Sequence, residues 1–390
     1  MRRVVLVNRY FHPDHSATSQ IASDLAFHLA SRGWEVVALS SAQKYDDARA
    51  RLASATEQGV CIRRLWTTRF GRMFLPGRAL DYITFYASAF FALLGEARRG
   101  TVVIAMTDPP LISIIAALAT KLRRATLVNW VQDLFPEVAE ALGMRAPGGL
   151  RRLRDWSLRR AKVNVVLGER MRQRVESRAQ GSGLTAQASR VTVRHNWADA
   201  ALRPIAKPAE PFVVAYSGNL GRVHEFETIL KAMELLQSEA HIRFLIVGGG
   251  AQLERVRRAA KGNVEFRPYA PREQLSESLS AGDVHLVSLQ PQLEGLIVPS
   301  KFYGILAVAR PVLFIGAADG ELARLIGEHR CGAVVAPGDA EALARTIHAL
   351  AADRAATEEM GRRGRAAYDA EFSATRALAA WERILDEAAS

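Results

Sequence analysis

Runs of consecutive apolar residues recur along the chain, separated by stretches whose apolar positions fall three and four residues apart. RVVLVN (3–8), EVVALS (35–40), VVIAM (102–106), TLVNWVQ (126–132) and VNVVLG (163–168) are strand-like. Residues 17–32 and 111–123 between them have helical spacing. After residue 211 the rhythm restarts with FVVAYSG, IRFLIVGGG, NVEFRPY, DVHLVSL, PVLFIG and GAVVAPGD. Near-continuous apolar strands alternating with helices predict parallel sheets covered on both faces. The expected fold class is α/β, with two Rossmann-like, doubly wound domains.

The segment ADAALRPIAKPAEP (198–211) has three prolines and no apolar period, so it is predicted to be a linker. The predicted domains are 1–197 and 212–390. A terminal helix at about 372–388, with Phe372, Leu378, Trp381 and Leu385 on one face, is expected to pack, with the first domain as one candidate surface. The opening MRRVVLVNRY reads as a buried first strand, its apolar run too short for a signal segment. Cys61 and Cys331 lie far apart without metal-ligand spacing and read as reduced cysteines of a cytosolic protein.

Charge changes the picture. The chain has a formal net charge of +12, but residues 1–197 hold 30 Lys and Arg against 15 Asp and Glu, while residues 198–390 hold 22 against 25. The first half is therefore +15 and the second −3. Such asymmetry points to a polyanionic partner, nucleic acid or an anionic membrane; an arginine-rich composition is the competing explanation for the total, though not for its distribution.

In open α/β sheets ligands bind beyond the carboxyl ends of the strands, so candidate residues belong in those loops. No GxGxxG follows the first strand, and no GxxxxGK[ST], GxSxG or clustered His/Cys set occurs. Several strand-end loops instead combine small residues with cations. SGNLGRVHE is expected to follow a strand and open a helix, so that its backbone amides and Arg222 together receive a phosphate group; a simple strand-to-helix turn with a solvent arginine is the alternative. In EGLIVPSKFYG (294–304), Lys301 follows a Pro-Ser pair among residues expected to be buried, with Ser300 the expected N-cap. A cation at a helix start is disfavoured unless an anion sits there too; a lysine that snorkels to solvent is the competing reading.

YSGNLGRVHEFETIL (216–230), the run from Arg267 to Gly316 and NWVQDLFPEVAEALGM (129–144) resemble bacterial family-4 retaining glycosyltransferases of the GT-B fold. The likeness is to the branch that builds O-antigen, capsule and colanic-acid-type exopolysaccharides. It implies two facing Rossmann-like domains with an inter-domain cleft. It also implies transfer of a sugar from a nucleotide-diphosphate donor, commonly a UDP-sugar, with no cofactor or metal required. By the same resemblance, Lys301 and Arg222 hold the donor diphosphate, with Ser300, Gly218 and Asn219 beside it, and Glu294 bonds donor-sugar hydroxyls. The backbone from Arg267 to Tyr269 meets the base. The loop Ser16–Ser19, with Thr18, lies near the diphosphate, and Asp133 lies on the acceptor and sugar face near Thr107 and Asp108. From the residues themselves, His12, His15 and His195 are candidate helpers alongside Asp133, with a structural role the commoner one for any single histidine. The family's second glutamate, eight residues after the first, is replaced by Phe302, and Glu321 is the substitute candidate for the ribose. The phosphate-loop cations are shifted as well, with Asn219 and His224 at the nominal places.

Residues 69–99 mix Arg69, Arg72 and Arg78 with an aromatic-rich apolar run containing Asp81, too short and too charged for a spanning helix. An interfacial segment on anionic lipid is one reading; a core helix with Ile83, Tyr86 and Phe90 facing inward is the other. With the basic first half, the first favours a polyprenyl-diphosphate-linked acceptor and a peripheral position on the inner face of the cytoplasmic membrane. A UDP-sugar 2-epimerase on the same fold is the alternative enzyme. A basic nucleic-acid-binding protein is the non-enzyme alternative, although no RNP, KH or helix-turn-helix signature is present.

Overall fold

The computed structural model describes residues 2–71, 75–179 and 189–390; Arg72 lies outside the described residues. The chain divides into two compact units, residues 1–195 with 378–390, and residues 196–377.

In the first unit, β1 (Arg3–Val7), β2 (Glu35–Ser41), β3 (Ala55–Glu57), β4 (Val60–Leu65), β5 (Thr101–Ala105), β6 (Thr126–Val131), β7 (Val163–Val166) and β8 (Arg190–Val193) form one sheet in the order β3-β4-β2-β1-β5-β6-β7-β8. Among the described residues only the β3–β4 pairing in this sheet is antiparallel. The second unit has β9 (Phe212–Ser217), β10 (Ile242–Val247), β11 (Val264–Arg267), β12 (Val284–Ser288), β13 (Val312–Ile315) and β14 (Gly332–Val335), all parallel, in the order β11-β10-β9-β12-β13-β14. This is the doubly wound 3-2-1-4-5-6 order. Its strand direction of progress reverses between β9 and β12; the first sheet does the same between β1 and β5. Those two switch points mark where the fold opens a ligand crevice.

The strand cores explain why the apolar runs were legible: Val4 to Val7, Val102 to Ala105 and Val312 to Ile315 are all buried, as a sheet covered on both faces requires. The strand at 60–65 was missed because Arg63 and Arg64 interrupt its pattern near the sheet edge.

The predicted linker is not a free connector. Its amides at Arg203 and Ile205 donate to the hydroxyls of Ser276 (3.2 Å) and Ser280 (3.0 Å), and Lys207 pairs with Asp283 at 2.8 Å. These bonds fasten 198–211 to the second unit. The terminal helix spans Ala374–Ala389, and residues 378–390 group with the first unit. There Trp381 packs on Trp130 with ring centroids 4.4 Å apart, and Asp386 pairs with Arg2 at 2.7 Å. Phe372 lies before this helix and packs against Phe302 and Tyr303 in the second unit instead.

The helix Leu75–Glu96 corrects the core-helix reading in detail. Phe85, Ala89 and Leu93 are the fully buried face, whereas Ile83 is 60% exposed and Phe91 71%. The buried Asp81 accepts from the Gly71 amide (3.0 Å), the Phe70 amide (3.1 Å) and the Thr68 hydroxyl (2.8 Å), and pairs with Arg9 at 3.4 Å. A charge in the apolar run thus anchors the entry to the helix, and the residues exposed between 76 and 95 are all uncharged. No helix among the described residues is long and apolar enough to cross a membrane.

Candidate functional site

Three strand ends of the second unit bring their loops together. β9 runs into Gly218, Asn219 and Leu220; β10 runs into Gly248, Gly249 and Gly250; β11 runs into Pro268 and Tyr269. The Leu220 amide donates to Gly249 O (2.7 Å), and the Gly248 amide to Arg267 O (3.0 Å). Gly248 has φ +132°, and a Cβ there would stand 2.2 Å from Gly218 O. The approach of the two backbones therefore excludes any side chain. Tyr269 covers this junction and donates from its hydroxyl to Gly249 O at 3.2 Å. Arg267 is exposed, its guanidinium bound to Glu265 at 2.6 Å, so its backbone is the part turned to the junction.

Lys301 reaches this place from the helix Lys301–Ala307. Its Nζ donates to the Tyr216 hydroxyl (2.5 Å) and lies 3.8 Å from that ring's centroid. The Tyr216 hydroxyl donates in turn to Asn219 O at 3.0 Å. A Cβ on Gly218 would be 3.5 Å from Lys301 Cε, which fixes the lysine tip at the carboxyl end of β9. Lys301 is half-buried, and among the described residues no carboxylate pairs with it. Desolvation without a counter-charge brings its pKa down from 10.5 to about 7. An ammonium held this way favours an incoming anion, because only the anion restores the stability of its charged form.

Ser300 precedes the helix but does not cap it. Its backbone is already helical (φ −66°, ψ −20°) and its hydroxyl makes no capping bond, which corrects the sequence expectation. The expectation that SGNLGRVHE opens a helix also fails: the next helix begins at Glu227, nine residues after Gly218. The segment is a turn. The amides of Asn219, Gly221, Arg222 and Val223 have no acceptor among the described residues, and the exposed Arg222 guanidinium has no partner there either. Its carbonyl accepts from Gln290 Nε2 at 2.8 Å, and the Gln290 amide donates to Val223 O at 3.0 Å. The loops after β9 and β12 are thereby joined at the switch point.

His224 is buried beneath this turn with Nδ1 2.6 Å from Ser288 O, so Nδ1 carries the proton. Burial first, and the nearby Lys301 second, lower its pKa to about 3, leaving a neutral imidazole where the family pattern has a cation. The hydroxyls of Ser217 and Ser288, the last residues of β9 and β12, are buried with no partner among the described residues.

Glu294 and Glu321 meet each other. Glu294 Oε1 accepts from the Glu321 amide at 2.8 Å, at the start of the helix Glu321–His329, and Gly320 leaves room for its other oxygen. Glu294 is held by a helix N-terminus, a favourable setting for a carboxylate. Glu321 is 2% exposed and bonded to Arg324 at 2.7 Å, so its carboxylate is committed inside the unit.

In the first unit, Thr18 is half-buried in the first turn of the helix Ala17–Ser31, and Asp133 follows β6. Asp133 keeps solvent contact, but desolvation, and Asp108 after it, raise its pKa from 3.8 to about 6. At the switch point of this sheet the Arg9 amide donates to Asp108 O at 2.5 Å. Asn8 Oδ1, Ser16 Oγ and Thr107 Oγ1 are buried there with no partner among the described residues. The histidine helpers are engaged otherwise: His12 with Glu57 (3.1 Å), His15 with Asp46 (3.8 Å), His195 with Leu167 O (2.9 Å). Sequence reasoning missed Tyr216, the partner of Lys301; a tyrosine near the end of an otherwise aliphatic strand was the available signal.

Residues 17–197 match the model of a glycosyl transferase 4-like domain, and residues 211–353 match that of glycosyl transferases group 1. WbjE of Pseudomonas aeruginosa, described as a glycosyltransferase, is 30% identical over 278 residues, covering 65% of this chain and 67% of that protein. WcaI of Escherichia coli (strain K12), described as a colanic acid biosynthesis glycosyl transferase, is 27% identical over 269 residues, covering 64% of this chain and 65% of that protein. The chain thus spans about two thirds of the length of these relatives. Among solved structures, sucrose-phosphate synthase from Thermosynechococcus elongatus superposes with TM-score 0.74 at 17% identity over 99% of each chain. HepE of Anabaena, solved with UDP, gives 0.69 at 16% identity over 99% of this chain and 100% of that one. The fold order, the strand-end loops and these matches agree: the chain belongs to the family-4 glycosyltransferases of the GT-B fold.

Proposed function

We propose that this glycosyltransferase moves a sugar, with retention, from a UDP-sugar to a polyprenyl-diphosphate-linked saccharide at an anionic membrane surface, in the synthesis of a bacterial surface polysaccharide. The observation that carries the donor half is the half-buried Lys301 ammonium, which has no carboxylate partner among the described residues and sits beside Gly218 at the end of β9. The unpaired amides and guanidinium of the 219–223 turn supply further donors for an anion at the switch point. HepE, with the same fold, was solved with UDP and with UDP-glucose.

In this reading Lys301 and Arg222 neutralise charge that develops on the departing diphosphate, an effect that is large in a dry, preorganised site. Glu294, oriented by the Glu321 amide, accepts from donor-sugar hydroxyls. No protein nucleophile is needed, because the leaving diphosphate can itself take the acceptor proton as it departs. Tyr269 and the Arg267 backbone flank the base.

The membrane half is supported by the face of the helix Leu75–Glu96. Leu80, Ile83, Ala87 and Phe91 form an exposed apolar stripe, and Trp66 beside it is 67% exposed, its carbonyl accepting from Ser88 at 2.8 Å. Exposed Arg63, Arg69 and Arg98 lie nearby in the chain, within a half of net charge +15. The test is incubation with a panel of UDP-sugars and extracted lipid-linked acceptor. Transfer releases UDP only with acceptor present and preserves the anomeric configuration of the donor, read by NMR of the product. Isomerised donor without acceptor would instead identify an epimerase, and inverted product would overturn the retaining chemistry.

A further inference from the structure

We propose that the second unit carries a binding site for a divalent transition metal of the zinc class, formed by Glu239, His241 and His348. The three residues come from two elements. Glu239 and His241 flank the turn that enters β10, and His348 stands on the helix Ala340–Ala352. Their ligand atoms all lie within 4.8 Å of one another.

The spacing is that of ligands around a metal rather than of ion pairs closed on each other. Glu239 offers one oxygen to each imidazole: Oε2 is 3.6 Å from His241 Nδ1, and Oε1 is 3.6 Å from His348 Nε2. A protonated imidazole bonded directly to a carboxylate closes to about 2.7–2.9 Å. Ligands at 2.0–2.1 Å around a tetrahedral zinc are separated by about 3.4 Å, close to the 3.6 Å from each imidazole nitrogen to its nearer Glu239 oxygen, and the three ligand atoms lie within 4.8 Å of one another. The imidazole ring centroids are 6.3 Å apart and the planes are inclined at 53°, so the rings are not stacked against each other.

The scaffold holds these groups in place. Leu343, Ile347 and Leu350 bury the inner face of the His348 helix in the core that also takes Ile229 and Met233. The Glu239 amide donates to Leu236 O (3.2 Å) and the Ile242 amide to Glu239 O (3.0 Å), which fixes the turn. Two imidazole nitrogens and one carboxylate oxygen suit zinc and its neighbours, with water completing the shell, and do not suit magnesium or calcium. The site also lies at the opposite end of β10 from Gly248–Gly250. At about 3.3 Å per residue the six-residue strand places it on the order of 20 Å from the donor loops. The metal therefore acts as a staple between a helix and a strand entry, separate from sugar transfer.

The test uses the full chain without an affinity tag, stripped with chelator and titrated with zinc chloride by calorimetry, alongside His348→Ala and Glu239→Gln. The wild type should bind zinc with a component that each variant weakens at least about tenfold. Zinc should raise the wild-type melting temperature and leave that of His348→Ala unmoved, and Lys301→Met should bind zinc as the wild type does. Cobalt(II) in place of zinc should give the intense visible absorption of a four-coordinate site. Equal zinc affinity in wild type and both variants, with each variant melting like the metal-free wild type, would overturn the proposal. A cobalt spectrum unchanged by His348→Ala would do the same.

Discussion

Binding of UDP at pH 8 should draw a proton from solution, and Lys301 should be the group that takes it. With its pKa near 7, the lysine is protonated in about one tenth of ligand-free molecules at that pH. A diphosphate within ion-pair distance favours the charged form and returns the pKa toward its ordinary 10.5, so the bound lysine is almost fully protonated. UDP contributes nothing to this count, since its last phosphate ionisation, near pH 6, is complete. The expected uptake is about 0.9 proton per site. Calorimetry in two buffers of different ionisation enthalpy, HEPES and Tris, gives the number from the change in apparent binding enthalpy. Lys301→Met keeps most of the side chain's length and removes its charge, so the uptake should vanish. Stability should follow the same group. Because the folded pKa lies below the unfolded one, the unfolded chain binds more protons between about pH 7 and 10.5, so wild-type stability should rise with pH across that window. In Lys301→Met this rise should be missing. Uptake near zero in the wild type, or unchanged uptake in Lys301→Met, would refute the assignment of Lys301 to the diphosphate.

Lys301→Ala should lower turnover by about two to three orders of magnitude, the cost typical of losing a charge-stabilising donor, and activity within a few-fold of wild type would make Lys301 an ordinary lysine. Glu294→Gln should raise KM for the UDP-sugar while free UDP affinity in calorimetry stays within a few-fold; a large loss of UDP affinity would move Glu294 to the nucleotide. Ile83→Asp with Phe91→Asp, both on the exposed stripe, should remove the salt-resistant part of co-sedimentation with anionic vesicles while leaving the melting temperature within a few degrees. Arg69→Gln with Arg78→Gln should weaken only the salt-sensitive part, and wild-type protein that ignores anionic vesicles at low salt would remove the membrane from the account.

The sheets were legible because a strand buried on both faces must be apolar at nearly every position, and that pattern survives without tertiary information. β3, β4 and β8 were not: Arg63 and Arg64 break the apolar pattern of β4, and β3 and β8 are short edge strands with no buried residue. Lys301 was legible as an anomaly, a cation among residues that pack inside, but its partner was not, because Tyr216 is 85 residues away and meets it only through the β9 strand end. The cap expected of Ser300 failed for a local reason: its backbone already lies in the helical region, where a serine hydroxyl is poorly placed to reach a first-turn amide. The Leu75–Glu96 helix shows the limit of spacing alone. Tyr86 and Phe90 pack at the edge of the core, but the face was mis-centred by two residues at Ile83, because Phe85, Ala89 and Leu93 satisfy the same period. The buried Asp81 counts against a membrane span, in agreement with the described helices, and it also holds the chain entering the helix.

A crystal structure of the protein with UDP would show directly whether Lys301 holds the diphosphate. A diphosphate oxygen is expected at about 2.7–2.9 Å from Lys301 Nζ, with the turn from Asn219 to Val223 around the phosphates and the uracil beside Tyr269. UDP bound elsewhere, with Lys301 Nζ still directed only to the Tyr216 hydroxyl, would contradict it.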